Sequence, residues 1–169
     1  MFRERENFEQ RLLMALRTRG HGPRTERAIA QASRLGEHGA VWLAVGAAGS
    51  LADRQHARRW RAAAGAVGAS YVLNTAIKLA VRRRRPQLAG LPPLASTPTE
   101  LSFPSAHAAT SFAAALGYGR CGLPRGPLYA AACAMALSRL YLGVHHPSDV
   151  VAGALLGSAV AAVVVEDGR

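Results

Sequence analysis

The sequence predicts an all-α protein: an integral membrane helical bundle of about five transmembrane helices, preceded by an N-terminal amphipathic helix. Three observations carry that prediction. The apolar residues gather into five charge-poor runs, 38–52, 62–81, 101–119, 126–144 and 150–165, of which the second is crossed only by Lys78 and the fourth only by Arg139. The runs are apolar on every side, without the polar stripe at 3.6-residue spacing that a surface helix shows. They are also rich in Ala and Gly, including Gly153-Ala-Leu-Leu-Gly157, and small residues let membrane helices approach one another closely.

The chain divides into a charged arm, residues 1–37, and a membrane-embedded domain, residues 38–169. In the arm Phe8, Leu12, Ala15 and Leu16 share one helical face with Leu13 beside them, while Arg11, Arg17 and Arg19 lie elsewhere. This pattern predicts an amphipathic helix lying on the membrane surface and ending near Gly20 and Gly22; a solvated helix packed on the domain is the alternative. A stretch so dense in charge does not read as a secretory signal.

The apolar runs follow in order. A spanning helix needs about 20 mostly apolar residues, with about 17 as the lower limit; the second, third and fourth runs reach that range and the first and last fall slightly short. Polar residues 53–61 join the first two helices. A Pro-rich loop over 82–105 leads to the third, a short turn over 120–126 to the fourth, and a His-His-Pro-Ser loop over 143–149 to the fifth. The mean hydropathy is only +0.06 because the arm and the 82–105 loop dilute the apolar runs. A soluble bundle of buried helices is the competing architecture.

A formal charge of +11 in a half-hydrophobic chain of 169 residues points to nucleic acid or to an anionic membrane surface. With aromatics at 6%, a single-strand binding platform of stacked rings is not expected, and nucleic acid is not an expected partner. Cys121 and Cys133 form no CxxC pair and read as small core residues, not as a zinc site or a disulfide framework.

Four polar groups stand out against this background. Lys78 near a helix end is followed by Arg82-Arg-Arg-Arg85-Pro86, where the proline biases its predecessor towards extended geometry and so ends the helix; basic clusters also commonly flank membrane helices. In Pro104-Ser105-Ala106-His107, Ser105 is the expected N-cap, and the free N–H groups of a helix start make an anion site. Arg139, beside Ser138, lies late in an apolar helix, where an arginine calls for an anionic partner unless it snorkels to the interface. In His145-His146-Pro147-Ser148-Asp149, Asp149 is close enough to accept a hydrogen bond from the ring of His145 and set its tautomer, and it also suits the N-terminus of the fifth helix.

Three cations, a serine and helix N-terminal amides on one side of the membrane suit an oxyanion with several oxygens, most simply a phosphate. Two histidines in separate loops can divide the chemistry: one attacks phosphorus, and the other protonates the departing oxygen and later activates water. No carboxylate cluster is present to hold a metal, so the positive charge is expected from side chains and no cofactor is expected.

These residues resemble the three-part signature of the type 2 phosphatidic acid phosphatase superfamily, which also contains the vanadium haloperoxidases: KxxxxxxRP, PSGH and SRxxxxxHxxxD. Lys78 to Pro86 fits the first part, Pro104 to His107 fits the second except at its glycine, and Ser138 to Asp149 fits the third. The resemblance implies that His145 is the nucleophile forming a phosphohistidine, with Asp149 orienting its ring and His107 as the general acid. It selects His145 over His146, a choice that the residues alone leave open. It implies that Lys78, Arg85 and Arg139 bind phosphate oxygens with Ser105 and the backbone at Ala106, and it leaves Arg82 to Arg84 to lipid headgroups or topology. Ala106 stands where the motif has glycine, which costs little if only its N–H is used and more if that backbone needs positive φ.

The resemblance further implies a lipid-phosphate substrate. Small actinobacterial members point to a polyprenyl-linked phosphate such as decaprenyl-phosphoryl-phosphoribose, with undecaprenyl pyrophosphate, phosphatidylglycerol phosphate and phosphatidic acid as alternatives. A vanadate-dependent haloperoxidase or a non-catalytic membrane-binding protein is the remaining choice. A multi-pass protein of the plasma membrane is expected. If all five helices span, the arm and the loops 82–105 and 143–149 share one side. Apart from Lys78, Arg85 and Arg139, that side carries eight arginines before residue 38 plus Arg82 to Arg84, against seven on the other, which favours a cytoplasmic active site.

Overall fold

The computed structural model describes residues 2–165, with side chains from Phe8 onwards; the terminal Arg169 of the charge comparison lies outside them. Seven α-helices follow in order: α1 (Phe2–Thr18), α2 (Pro23–Arg34), α3 (Ala40–Ala52), α4 (Ala57–Val81), α5 (Ala106–Arg120), α6 (Arg125–Tyr141) and α7 (Pro147–Val164), with 3-10 turns at Glu37–Gly39 and Arg54–His56. Among the described residues only two isolated β-bridges occur, so the all-α expectation holds. The five apolar runs correspond to α3 through α7. Two helical segments, Arg54–Val81 and Pro147–Val164, are long and apolar enough to cross a membrane. At 13 and 15 residues, α3 and α5 are about 20 and 22 Å long, short of a hydrocarbon core of about 30 Å. The third run loses its first five residues to the loop, because the backbone becomes helical only at Ala106.

Helix α5 is the centre of the bundle and packs on α4, α6 and α7. Its buried side chains are mostly small: Ala108, Ala109, Thr110, Ser111, Ala113, Ala114 and Ala115, closed by Tyr118. Small residues allow the neighbouring backbones to come close, and Gly153 and Gly157 of α7 complete the contact. A Cβ on Gly153 would strike the Ser105 carbonyl, and one on Gly157 would strike the backbone of Ala109. Polar groups tie the helices as well: Trp42 Nε1 donates to Ser111 Oγ at 2.9 Å and Tyr118 Oη to the Trp42 carbonyl at 2.6 Å. Many large aliphatic residues face outward, with Val72 68%, Leu155 66% and Val163 86% exposed. A core rich in alanine and glycine beneath a surface rich in leucine and valine is the arrangement expected when the surroundings are themselves apolar.

The α5–α7 contact makes a direct prediction. Gly157→Ala forces two backbones apart and is expected to cost about 1–3 kcal/mol, the range for overpacking a tight core. A fall in the thermal midpoint of the purified protein in detergent checks this, and an unchanged midpoint would show that the two helices separate freely.

The arm folds as two helices rather than one. Gly20, at φ 69, turns the chain after Thr18, and Pro23 starts α2 at a position where its missing N–H costs nothing. The edge of α1 that packs on the domain is not its apolar stripe. Leu13 and Arg17 are buried and Glu9 is partly buried, while Phe8, Leu12 and Met14 stay exposed. Leu13 joins a cluster with Ala108, Ala136, Leu140 and Val150, and Arg17 donates to the Pro92 carbonyl at 2.6 Å. Packing against α6 and the 82–105 loop therefore takes the Glu9–Leu13–Arg17 edge, leaving the apolar stripe of Phe8 and Leu12 outward.

Candidate active site

Four chain segments meet at the end of the bundle that carries the 82–105 and 143–149 loops. The first is the end of α4. Arg82 adopts a left-handed conformation, at φ 54, and its N–H bonds back to the Lys78 carbonyl, which stops the helix and turns the chain. The loop then pairs briefly with itself, Ser102 N donating to the Arg83 carbonyl at 2.8 Å and Arg85 N to that of Glu100 at 3.2 Å. This hairpin-like return holds Arg85, whose Nε donates to the Thr99 carbonyl at 2.8 Å and whose Nη1 donates to the Val144 carbonyl at 2.7 Å. Lys78 Nζ donates to the carbonyls of Leu101, at 3.3 Å, and Pro104, at 3.0 Å.

The second segment is the start of α5. Ser105 occupies the N-cap position with extended backbone, and its N–H donates to the Asp149 carbonyl at 2.9 Å. Its hydroxyl makes no capping bond, contrary to expectation; it is fully buried with no hydrogen-bond partner among the described residues. Ala106 is the first helical residue and has no positive φ, so alanine here carries no backbone strain. The amides of this first turn point out of the helix, as in every helix start. His107 Nε2 lies 3.1 Å from the Ser33 carbonyl. A carbonyl only accepts, so Nε2 bears a hydrogen and Nδ1 is left free.

The third segment is the end of α6. Arg139 is buried and donates through Nη1 to the hydroxyl of Ser33, while its Nε has no partner among the described residues. Ser33, at the end of α2, thus holds both Arg139 and His107, and Gly36 just beyond it lies so close that a Cβ would overlap His107 and Met135. Sequence reasoning missed Ser33, because nothing in its neighbourhood marks it and its partners lie over 70 residues away.

The fourth segment is the start of α7. His145 is 3% exposed; its Nδ1 faces Asp149 Oδ2 at 3.5 Å, and its Nε2 lies 3.3 Å from Arg85 Nη1. Burial holds its ring well below the usual histidine range, at about 4, so it is neutral at neutral pH. Asp149 is fully buried. Its Oδ2 accepts from His146 N at 2.8 Å and faces His146 Nδ1 at 3.2 Å, forming a capping box, so the carboxylate serves the helix start and the histidine together.

Asp149 has another partner that sequence reasoning assigned elsewhere. Arg83 Nη1 donates to Asp149 Oδ1 at 2.9 Å and to Ser148 Oγ at 2.6 Å, and its Nη2 reaches Glu9 Oε2 at 2.8 Å. Glu9 Oε1 accepts from Ser148 N at 2.9 Å. Arg83 is therefore part of the support for Asp149 and not a headgroup-facing arginine, because the reversal at Arg82 turns it inward.

Lys78, Arg85, Ala106, His107, Arg139 and His145 all line one cavity of about 420 Å³. Ser105 lies buried beside its wall, and Asp149 stands behind His145. His146, although nearer to Asp149 than His145 is, does not line the cavity. Among the described residues no group of three or more His, Cys, Asp or Glu side chains is placed to hold a metal ion.

Comparisons with known proteins show the family and the fold. The model of the PAP2 superfamily matches residues 59–168. The chain is 42% identical over 133 residues to the decaprenylphosphoryl-5-phosphoribose phosphatase of Mycobacterium tuberculosis strain H37Rv, covering 78% of this chain and 74% of that protein. It is 43% identical over 122 residues to the protein of the same name from Mycolicibacterium smegmatis, covering 72% and 67%. Its fold matches that of the transmembrane PAP2-type phosphatidylglycerolphosphate phosphatase of Bacillus subtilis with a TM-score of 0.76 at 22% identity, over 94% of this chain and 83% of that one. The match to Aquifex aeolicus LpxE has a TM-score of 0.76 at 24% identity, over 90% and 92%.

Proposed function

This chain belongs to the PAP2 superfamily, and on that premise we propose that it is a metal-independent phosphatase acting on a polyprenyl-linked phosphomonoester such as decaprenyl-phosphoryl-phosphoribose. It is a lipid phosphatase and a membrane protein. One observation supports the phosphate reading above the others: cationic side chains and buried donors without protein partners gather at and beside one cavity. Arg139 Nε in the cavity wall and Ser105 Oγ buried beside it have no hydrogen-bond partner among the described residues, and Lys78, Arg85 and the first residues of α5 line the same space. Buried donors left unpaired cost about 1–3 kcal/mol each; a phosphate satisfies several at once. The relatives of the same name, 42% identical, support the choice of lipid.

The proposed reaction has two steps. The lone pair on His145 Nε2 attacks phosphorus and the N–P bond forms; the bond to the leaving oxygen breaks as His107, carrying on Nδ1 a proton taken up with the bound phosphate, gives that proton to the oxygen and returns to its neutral form with Nε2–H on the Ser33 carbonyl. Asp149 faces the Nδ1 hydrogen of His145 and stabilises the positive ring that develops. A water molecule then gives its proton to His107 and attacks phosphorus, the N–P bond breaks, and inorganic phosphate and neutral His145 are restored. Lys78, Arg85 and Arg139 offset charge on the phosphate oxygens throughout, which is the role of preorganised electrostatics.

Purified enzyme in detergent is expected to release phosphate from polyprenyl-phosphoryl-5-phosphoribose with EDTA present and to be inhibited by vanadate. Phosphatidic acid, phosphatidylglycerol phosphate and undecaprenyl pyrophosphate are expected to be poorer by about tenfold or more in kcat/KM, the scale of discrimination that differing pocket contacts provide. Loss of activity in EDTA would sink the metal-independent reading, and equal rates across the panel would sink the choice of lipid.

Within this reading Arg83 has a defined effect. Arg83→Ala removes one charge-assisted hydrogen bond to Asp149, and kcat is expected to fall about tenfold, the size of such a bond. Arg83→Lys, which keeps the charge, is expected to recover part of it. Unchanged kcat in Arg83→Ala would separate Asp149 from this support.

We place α3 to α7 as five membrane segments of a plasma-membrane protein, with the site on the cytoplasmic side because the arginine excess lies there. Ser96→Cys, at the exposed rim of the cavity, in a background where Cys121 and Cys133 are replaced, tests the orientation. Labelling by an impermeant thiol reagent in intact cells would reverse it.

A further inference from the structure

The cavity is larger than a phosphate requires. At about 420 Å³ it falls in the size range of sites for drug-sized ligands, and its polarity is divided. Lys78, Arg85 and Arg139 make one end cationic, beside His145. The rest of the α4 wall carries Tyr71, Asn74 and Thr75, polar and uncharged. Tyr71, Asn74, Thr75 and Lys78 stand at i, i+3, i+4 and i+7, one polar stripe on a helix whose other faces present Val72, Leu73 and Leu79 outward. Polar side chains on a membrane helix are costly and mark function by default, yet the phosphate site uses only Lys78 of the four.

Most polar side chains of this helix find local partners. Ser70 Oγ donates to the Val67 carbonyl at 2.8 Å, and Thr75 Oγ1 donates to that of Tyr71 at 2.9 Å. Asn74 does not. It is fully buried at the cavity wall, and neither Oδ1 nor Nδ2 has a hydrogen-bond partner among the described residues. Beside it Tyr71 Oη and His38 Nδ1 are 2.7 Å apart, with the rings edge to face at 5.4 Å. His38, at φ 52, projects from the Glu37–Gly39 turn at the exposed side of the cavity.

We propose that Asn74, with Tyr71 and His38, forms a second subsite that binds hydroxyl groups of the moiety to which the phosphate is esterified, and so selects polyol phosphates. This rests on the lipid-phosphatase reading above and assigns residues to its headgroup selectivity. An amide offers one acceptor and two donors, which matches neighbouring hydroxyls and not a second phosphate, for which a cation would be needed. A simple alkyl phosphate fills the cationic end but leaves Asn74 unpaired. A site built to hydrogen-bond a hydroxyl discriminates strongly against an analogue that lacks it.

The test compares kcat/KM for polyprenyl-phosphoryl-5-phosphoribose with kcat/KM for farnesyl phosphate, which has no hydroxyl near its phosphate. In Asn74→Ala the ratio of the two is expected to fall about 10- to 100-fold, the effect of losing a buried hydrogen-bonded partner. Tyr71→Phe, which keeps the ring and the packing, is expected to lower the ratio in the same direction. A fall greater than threefold upholds the subsite; a ratio within threefold of wild type in both variants overturns it, whether the two activities persist or decline together.

A second measurement separates this inference from the identity of the lipid. With farnesyl phosphate as substrate, ribose 5-phosphate is expected to compete better than inorganic phosphate in the wild type and no better in Asn74→Ala. If the wild type fails to hydrolyse the phosphoribose lipid but shows this difference, the lipid assignment falls and the subsite stands. If it hydrolyses that lipid and Asn74→Ala keeps both the ratio and the inhibition pattern, the lipid stands and the subsite falls.

Discussion

Replacing His145 with alanine is expected to reduce turnover of a lipid phosphate by about 10⁴-fold or more, the loss that follows removal of a covalent nucleophile. The size follows from how completely the protein commits this ring. It is 3% exposed, with Nδ1 towards Asp149 and Nε2 beside the Arg85 guanidinium. No second group can take its place, since His146 lies outside the cavity. Burial keeps the ring neutral down to a pH of about 4, so its lone pair is available across the physiological range. Lowering the pH protonates the ring only below that value, so in the free enzyme kcat/KM should not lose this nucleophile near pH 6.5. Rapid acid-free quenching of the wild type with labelled substrate should trap phosphate on the protein, and His145→Ala should trap none. Full turnover in His145→Ala would remove the phosphohistidine mechanism.

His107 gives the second large effect, with a different signature. In His107→Gln, kcat on an alkyl phosphate is expected to fall about 10²- to 10⁴-fold, the contribution of general acid catalysis. With p-nitrophenyl phosphate the leaving oxygen needs no proton, so the first step should survive. Return of the enzyme still needs a base for water. The variant should therefore release a burst of about one p-nitrophenolate per active site and then turn over slowly, the kinetic mark of an accumulating covalent intermediate. Equal losses on both substrates, without a burst, would show that His107 serves the architecture and not proton transfer. The Ser33 carbonyl makes that outcome a real alternative, because Ser33 holds both His107 and Arg139.

Much of the fold could be read from residue order. The five apolar runs became α3 through α7 because backbone polar groups in a long apolar run are satisfied within a helix, and the Gly153/Gly157 pair marked the contact with α5. The motif spacings placed Lys78, Arg85, His107, Arg139 and His145 around one cavity, since each sits a fixed distance from the end of a helix. Neighbours within a few residues were also legible: Asp149 caps α7 and faces His145, as its four-residue separation required.

What stayed hidden were pairings between residues distant in sequence. Glu9 and Ser148 are 139 residues apart, Ser33 and Arg139 106, and Arg83 and Asp149 66. No periodicity encodes such contacts. Arg83 looked like its neighbours Arg82 and Arg84 because composition treats a run of arginines alike; only the left-handed turn at Arg82 separates them. Asn74 was invisible for a similar reason: a lone amide in an apolar helix is remarked upon only when its surroundings show that both of its polar atoms are left over.

The sequence by itself determined the helical class, the five apolar segments, the family and the set of charged and titratable groups around the phosphate, because these depend on residue type and on spacing along one helix or loop. The tertiary structure alone decided that Ala106 bears no strain, that the arm's Ser33 and Glu9 support the site, and that Asn74 stands unpaired beside it. Those facts depend on how helices with apolar surfaces on every side settle against one another. Such surfaces leave helix rotation weakly specified, and the close approach of α7 to α5 at Gly153 and Gly157 is what brings the distant groups into register.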